Sequence, residues 1–185
     1  MIYETDYSTY IEKLATLHTA IRHNADDRQS FFFIEQPDDT EEFDNALRNY
    51  ATSPALLAVA EQGELNDNNS ENHTEQFEGQ LYVIAKKEDG QSIKQVRDIC
   101  KPIVMDILAK MKIDAKRTGG IIPGKMVQFR INNISYQKVG PMNIAWYGYT
   151  FWFNFTCPFG FAVTSGSWSN IQQPGALPLG LPGQL

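Results

Sequence analysis

Residues 143–157, Asn-Ile-Ala-Trp-Tyr-Gly-Tyr-Thr-Phe-Trp-Phe-Asn-Phe-Thr-Cys, alternate almost without a break, and a run of that kind constrains the fold more than any other feature of the chain. Ala145, Tyr147, Tyr149, Phe151, Phe153, Phe155 and Cys157 fall on one face of an extended strand. Ile144, Gly148, Thr150, Asn154 and Thr156 fall on the other. A helix would scatter the same aromatics around its circumference, so the pattern predicts a long strand with one face in a core. Trp146 and Trp152 interrupt the second face, and large aromatics on an otherwise wet surface predict that something lies over them. The expectation is a sheet covered on one side by the protein's own core and in places on the other by a partner, with Trp146 and Trp152 at that interface.

The other elements follow from spacing and punctuation. Ile11, Leu14, Leu17, His18 and Ile21 predict an amphipathic helix over 8–23, with Asp6 or Ser8 as its N-cap. Phe31-Phe32-Phe33-Ile34, stopped by Pro37 and its polar neighbours, fits a short buried strand. Thr40 then caps a helix lined by Phe43, Leu47 and Tyr50, in which Glu41, Glu42 and Asp44 sit where the helix dipole favours them. Residues 55–62 and 80–86 read as strands. The 63–79 connection is too long for a hairpin turn, so parts of it extend the strands around an Asn-rich centre at 66–72.

The longest helix spans Ile93 to Lys116, opened by a Ser92/Gln95 capping box and continuing past Pro102 because the apolar spacing resumes beyond it. A strand over 125–137 and a turn at Val139-Gly140-Pro141 lead into the aromatic strand. From Ser165 the chain changes character, with Pro174, Pro178 and Pro182 in a segment that has no lysine, arginine or acidic residue. Such a segment does not fold alone. The prediction is an α+β domain over 1–164, with a mostly antiparallel sheet, one long helix and two shorter helices packed on it, and an extended arm over 165–185. Trp168, Ile171 and Leu177 are the arm's candidate anchors to a neighbour.

Charge is divided along the chain more sharply than its net value of −6 suggests. Residues 1–78 hold 17 Asp and Glu against 4 Lys and Arg, a balance of −13, and the remainder holds 5 against 12, a balance of +7. This division has a plain origin in the solvated faces of separate elements, or it brings complementary surfaces together on neighbouring copies. The acidic total argues against tight nucleic-acid binding by the whole chain. No apolar run is long enough for a membrane helix, and the N-terminus has neither a basic start nor an apolar core, so a cytosolic origin is expected.

The residues that carry chemistry are sparse. Cys100 and Cys157 lack metal-ligand neighbours and read as buried thiols. His18, His23 and His73 are scattered, and Gly119 to Lys125 has a Gly-Lys pair in the wrong context for a phosphate loop, after a helix and before a strand. The carboxylates at 38–42 are explained by capping. No catalytic residue, metal ligand or cofactor is assigned. A small enzyme or binding module with a cleft beside the long helix stays open as an alternative.

The order of elements resembles the tail-terminator, or tail-completion, proteins of tailed phages and related contractile particles. The resemblance covers residues 8–163 and rests on the N-terminal helix, the strand Phe31–Ile34, the long-looped hairpin from Pro54 to Lys87, the dominant helix at 93–116, and a last hairpin in which a turn at Val139-Gly140-Pro141 precedes the aromatic strand with Trp146. It implies a virion protein, assembled in the host cytoplasm, that forms a ring, usually a hexamer, at the head-proximal end of the tail. Its partners would be copies of itself, the tail-tube protein and head-side connector proteins, with DNA passing through without specific binding and no membrane involved. Head-tail adaptors, stoppers and tail-tube proteins share parts of the arrangement. In such a ring Asp67, Glu71, Glu75 and Glu78 are candidates to line the lumen, where carboxylates repel phosphate.

Overall fold

The computed structural model describes residues 2–35, 40–49, 51–67 and 73–160. Three α-helices and six strands form an α+β unit in the order α1 (Glu4–Leu17), β1 (Phe31–Ile34), α2 (Thr40–Asn49), β2 (Ala55–Asn66), β3 (Thr74–Lys86), α3 (Ile93–Asp114), β4 (Gln128–Phe129), β5 (Ser135–Met142) and β6 (Trp146–Pro158). The strands make one sheet, β1-β2-β3-β6-β4, with β5 also on β6. Only β1 and β2 are parallel, joined through α2; the other pairs are antiparallel.

The predicted alternation of β6 holds to its end. Tyr149, Phe151, Phe153, Phe155 and Cys157 are buried in the main core. They pair in register with Val83, Leu81, Gly79, Phe77 and Glu75 of β3. Leu56 and Ala58 extend the same apolar face into β2. Two helices close it. α1 contributes Tyr7, Tyr10, Ile11 and Leu14, and α3 contributes Val96, Cys100, Ile103, Val104, Ile107 and Met111. α3 carries the predicted Ser92/Gln95 capping box and runs through Pro102, whose side is exposed so that the carbonyl left unpaired faces water.

Several boundaries differ from expectation, each for a local reason. α1 begins at Glu4 with Tyr3 as N-cap and no side-chain cap, so neither Asp6 nor Ser8 starts it. Tyr7 and Tyr10 carry the apolar stripe one turn further toward the N-terminus, while Leu17 is exposed and Ile21 is buried from the turn that follows. The strand expected over 125–137 is broken by a 3-10 turn at Ile131–Asn133 into β4 and β5. Val139-Gly140-Pro141 is no reversal but a register irregularity within β5. β5 is an edge strand, where a proline can sit without costing an inner ladder bond. The chain reverses at Asn143 and Ile144, both with positive φ.

The long β2–β3 connection resolves as predicted: both strands continue past the expected ends, to Asn66 and from Thr74. The arm proposed for 165–185, with Trp168, Ile171 and Leu177, lies outside the described residues.

Candidate interaction surfaces

The outer face of the sheet divides into a covered part and an open part. α2 packs over one end, where Leu47 joins Ile34, Ala55, Leu57, Ile84 and Trp146 in a second buried cluster. Asn143 Nδ2 donates to the Asp44 carbonyl at 3.3 Å, tying the β5–β6 turn to this helix. Trp146 is therefore 2% exposed. This corrects the expectation that it meets a partner: what lies over it is the chain's own helix, contributed from a hundred residues earlier.

Trp152 lies on the open part and is half-buried. Beside it Gln80 Nε2 donates to the Tyr82 hydroxyl at 2.7 Å and to Thr150 Oγ1 at 3.1 Å. Burial pushes the Tyr82 hydroxyl above its ordinary range, and the bonds to Thr150 and Gln80 oppose that shift. Further along, the same face presents Gln76, Glu78, Asn154 and Thr156 on β3 and β6, Glu64 on β2, and Ser135 and Gln137 on β5. Among the described residues the outer-face strand positions hold one basic residue, Lys86, exposed at the end of β3 opposite Trp146 and away from Glu64 and Glu78. Arg130, whose Nη2 is 3.5 Å from Gln128 Oε1, stands at the margin of this face.

The four carboxylates expected to act together do not converge. Glu78 is exposed on the outer face. Glu75 is on the core side, where its Oε2 accepts the Ile2 backbone N–H at 2.7 Å, so it pins the start of the chain instead of joining Glu78. Asp67 lies 3.4 Å from His73 Nδ1 at the hairpin tip. Glu71 lies outside the described residues.

A second feature went unread in the sequence. β1 ends the sheet, and among the described residues no strand pairs with its outer side. A groove of about 540 Å³ follows that edge, walled by Ser8 and Glu12 of α1 and Ala46 of α2, with Phe31 to Glu35 as its floor. His23 is buried beside it. Its Nδ1 accepts the Ser30 N–H at 3.2 Å, which leaves the proton on Nε2, 3.5 Å from Glu12 Oε1. The signal in the sequence was three consecutive phenylalanines, one more than a single core face can take from a strand.

The groups that could do chemistry are occupied structurally. Cys100 and Cys157 are buried free thiols; burial pushes Cys100 up to about 12 and also raises Cys157, so neither is a ready nucleophile. Among the described residues no three His, Cys, Asp or Glu side chains converge as metal ligands, and no helix is long and apolar enough to cross a membrane. The buried Asp114 accepts from Lys110 Nζ at 2.5 and 2.6 Å and from the Tyr10 hydroxyl at 3.2 Å, which locks the end of α3 to α1.

That cluster has a pH signature. Burial, and then the Asp114 carboxylate, raise the Tyr10 pKa far above its ordinary value near 10. In alkali the unfolded chain loses this proton while the folded chain keeps it, so the contribution is complete below pH ~10 and declines as pH rises beyond. Urea midpoints across alkaline pH should therefore fall more steeply for the native protein than for Tyr10→Phe. Parallel curves would remove Tyr10 from the titration.

Compared with protein-family models and with curated proteins, the chain matches none.

Proposed function

We propose that the protein is a virion structural component that assembles into a ring at the head-proximal end of a phage tail, closing the tail tube and joining it to the connector. The observation that carries this reading is the open outer face of β2, β3, β5 and β6. It offers amides, hydroxyls and the carboxylates Glu64 and Glu78, and among the described residues the one basic strand residue of that face, Lys86, stands at the far end of β3 opposite Trp146. A DNA conduit needs such a surface, because each lysine or arginine on it would hold a phosphate and release counterions, turning passage into binding. The resemblance of the element order to that of tail terminators supports the same reading. The division of charge between the two halves of the chain suits head-to-tail contact between copies.

The test places charge where DNA would pass. Glu64→Lys with Glu78→Lys alters two exposed side chains, so the melting temperature should change by no more than a degree or two. Particles carrying the pair should assemble, yet release DNA slowly or incompletely, with the defect relieved by raised salt. Normal release from fully assembled particles would remove the conduit role. A native mass equal to one chain at every concentration, with no assembly onto tails, would remove the ring.

A further inference from the structure

Two strands that have an edge paired with no other strand among the described residues, β1 and β5, are matched. Following the pairings across it, Phe31 lies on one row with Leu56, Val83, Tyr149 and Lys138, and Ile34 on one row with Val59, Gln80, Trp152 and Ser135. The four residues of β1 and residues 135–138 of β5 thus stand level at opposite ends of the same rows. Their directions also match: β1 is parallel to β2, and three antiparallel steps from β2 lead to β5, so β1 and β5 run oppositely. A second copy displaced sideways along the rows would bring its β5 against β1 as an antiparallel pair, the more favourable kind.

Resting on the self-assembly reading above, we infer that β5 of a neighbouring copy inserts into the groove at the open edge of β1, so that the sheets of successive copies are continuous. Three observations support this occupant. Hydrogen bonding comes first: the Leu56 N–H donates to the Ser30 carbonyl at 2.8 Å, and residues of a parallel strand alternate in direction. Ser30, Phe32 and Ile34 therefore bond toward β2, and the N–H and C=O of Phe31 and Phe33 point into the groove. An edge of half-buried phenylalanines with outward amides calls for an added strand.

The side chains then meet in kind. In the level-matched register Tyr136 of the second copy opposes Phe33, and its Lys138 opposes Phe31, all on the helix-covered face. Tyr136 is 48% exposed, a large aromatic without a cover. Lys138 would arrive beside Glu12, which the groove holds next to Phe31 through His23. This is one local meeting of the acidic first half of the chain with its basic second half. Finally, the contact is heterologous, since different edges meet; repeated with a constant rotation it closes into a ring.

The test follows the Phe31 and Phe33 amides of the full chain by hydrogen exchange at about 1 μM and about 100 μM, with light scattering giving the mass. Expected is roughly tenfold slower exchange at the higher concentration, in step with a rise in mass. Glu12→Lys or Lys138→Glu alone should weaken association roughly tenfold, and the two together should restore it. Circular dichroism melts of each variant confirm that the monomer is intact.

Protection at all concentrations would mean that the chain covers its own edge, and the inference falls. It falls too if protection follows concentration but the charge swap fails to rescue, since another segment then occupies the groove. Rings whose Phe31 and Phe33 exchange freely would keep the proposed function and reject this interface. Protected amides in open filaments that never bind tails would keep the interface and reject the function.

Discussion

Phe153→Asp is expected to abolish cooperative folding of the domain. Phe153 is 1% exposed and sits among Phe155, Phe129, Phe151 and Tyr7, with ring centroids 5.0, 6.0, 6.1 and 6.4 Å away. Its ring occupies the space over its partner Gly79, where an added Cβ would come within 2.5 Å of the ring edge. Truncating such an aromatic costs about 3–5 kcal/mol, and the aspartate adds a carboxylate with no partner in an apolar site. Together these approach the roughly 5–15 kcal/mol that holds a whole domain folded. Asn154→Asp, one residue along on the half-exposed outer face, is the control and should shift the melting temperature by no more than a few degrees. A native-like melt for Phe153→Asp would mean that the two faces of β6 have been exchanged.

That such a control can be chosen reflects what alternation encodes. A period of two assigns every residue of β6 to a face, and the capping box and apolar stripe place α3 as securely, because both signals are local. What covers each face is not local. Nothing near Trp146 names α2 as its cover, so the tryptophan looked available to a partner; the apolar side of α2 shows that this helix covers something, but not which end of the sheet. Gly140-Pro141 carries the usual chemistry of a turn, yet an edge strand absorbs it, and the reversal falls to Asn143 and Ile144.

The candidate surfaces divide in the same way. Exposure of Glu78 and Trp152 on one face follows from parity. The opposite side taken by Glu75, three residues before Glu78 in one regular strand, follows from the same parity; its bond to the Ile2 N–H depends on where residue 2 lies. The open edge of β1 is a property of strand order, which the sequence of Phe31 to Ile34 does not contain.

Gly148→Ala should be the most destabilising single-methyl change in the sheet. Gly148 lies between β3 and β5 near the middle of the aromatic run, beside Trp146 and beneath the α2 cluster. A Cβ there would stand 2.0 Å from the Val83 carbonyl oxygen, 2.8 Å from Ile84 Cα and 3.0 Å from the Val83 carbonyl carbon. All three are backbone atoms of the neighbouring strand, so no rotamer change relieves the clash; β3 and β6 must separate where their pairing is continuous on both sides. Glycine is poor in a strand for entropic reasons, and its presence here is explained by this close approach. Gly63 is the contrast, a strand glycine whose nearest atom to an added Cβ is the Gln76 carbonyl oxygen at 3.9 Å. Gly63→Ala should be neutral or slightly stabilising through the unfolded chain, whereas Gly148→Ala should lose about 3 kcal/mol or more, the upper end for overpacking. Urea unfolding of both variants gives the comparison, and the fluorescence of Gly148→Ala should shift to the red as Trp146 loses its cover. Equal midpoints for the two variants would show that β6 does not pass this close to β3, and the register that places the outer face would have to be redrawn.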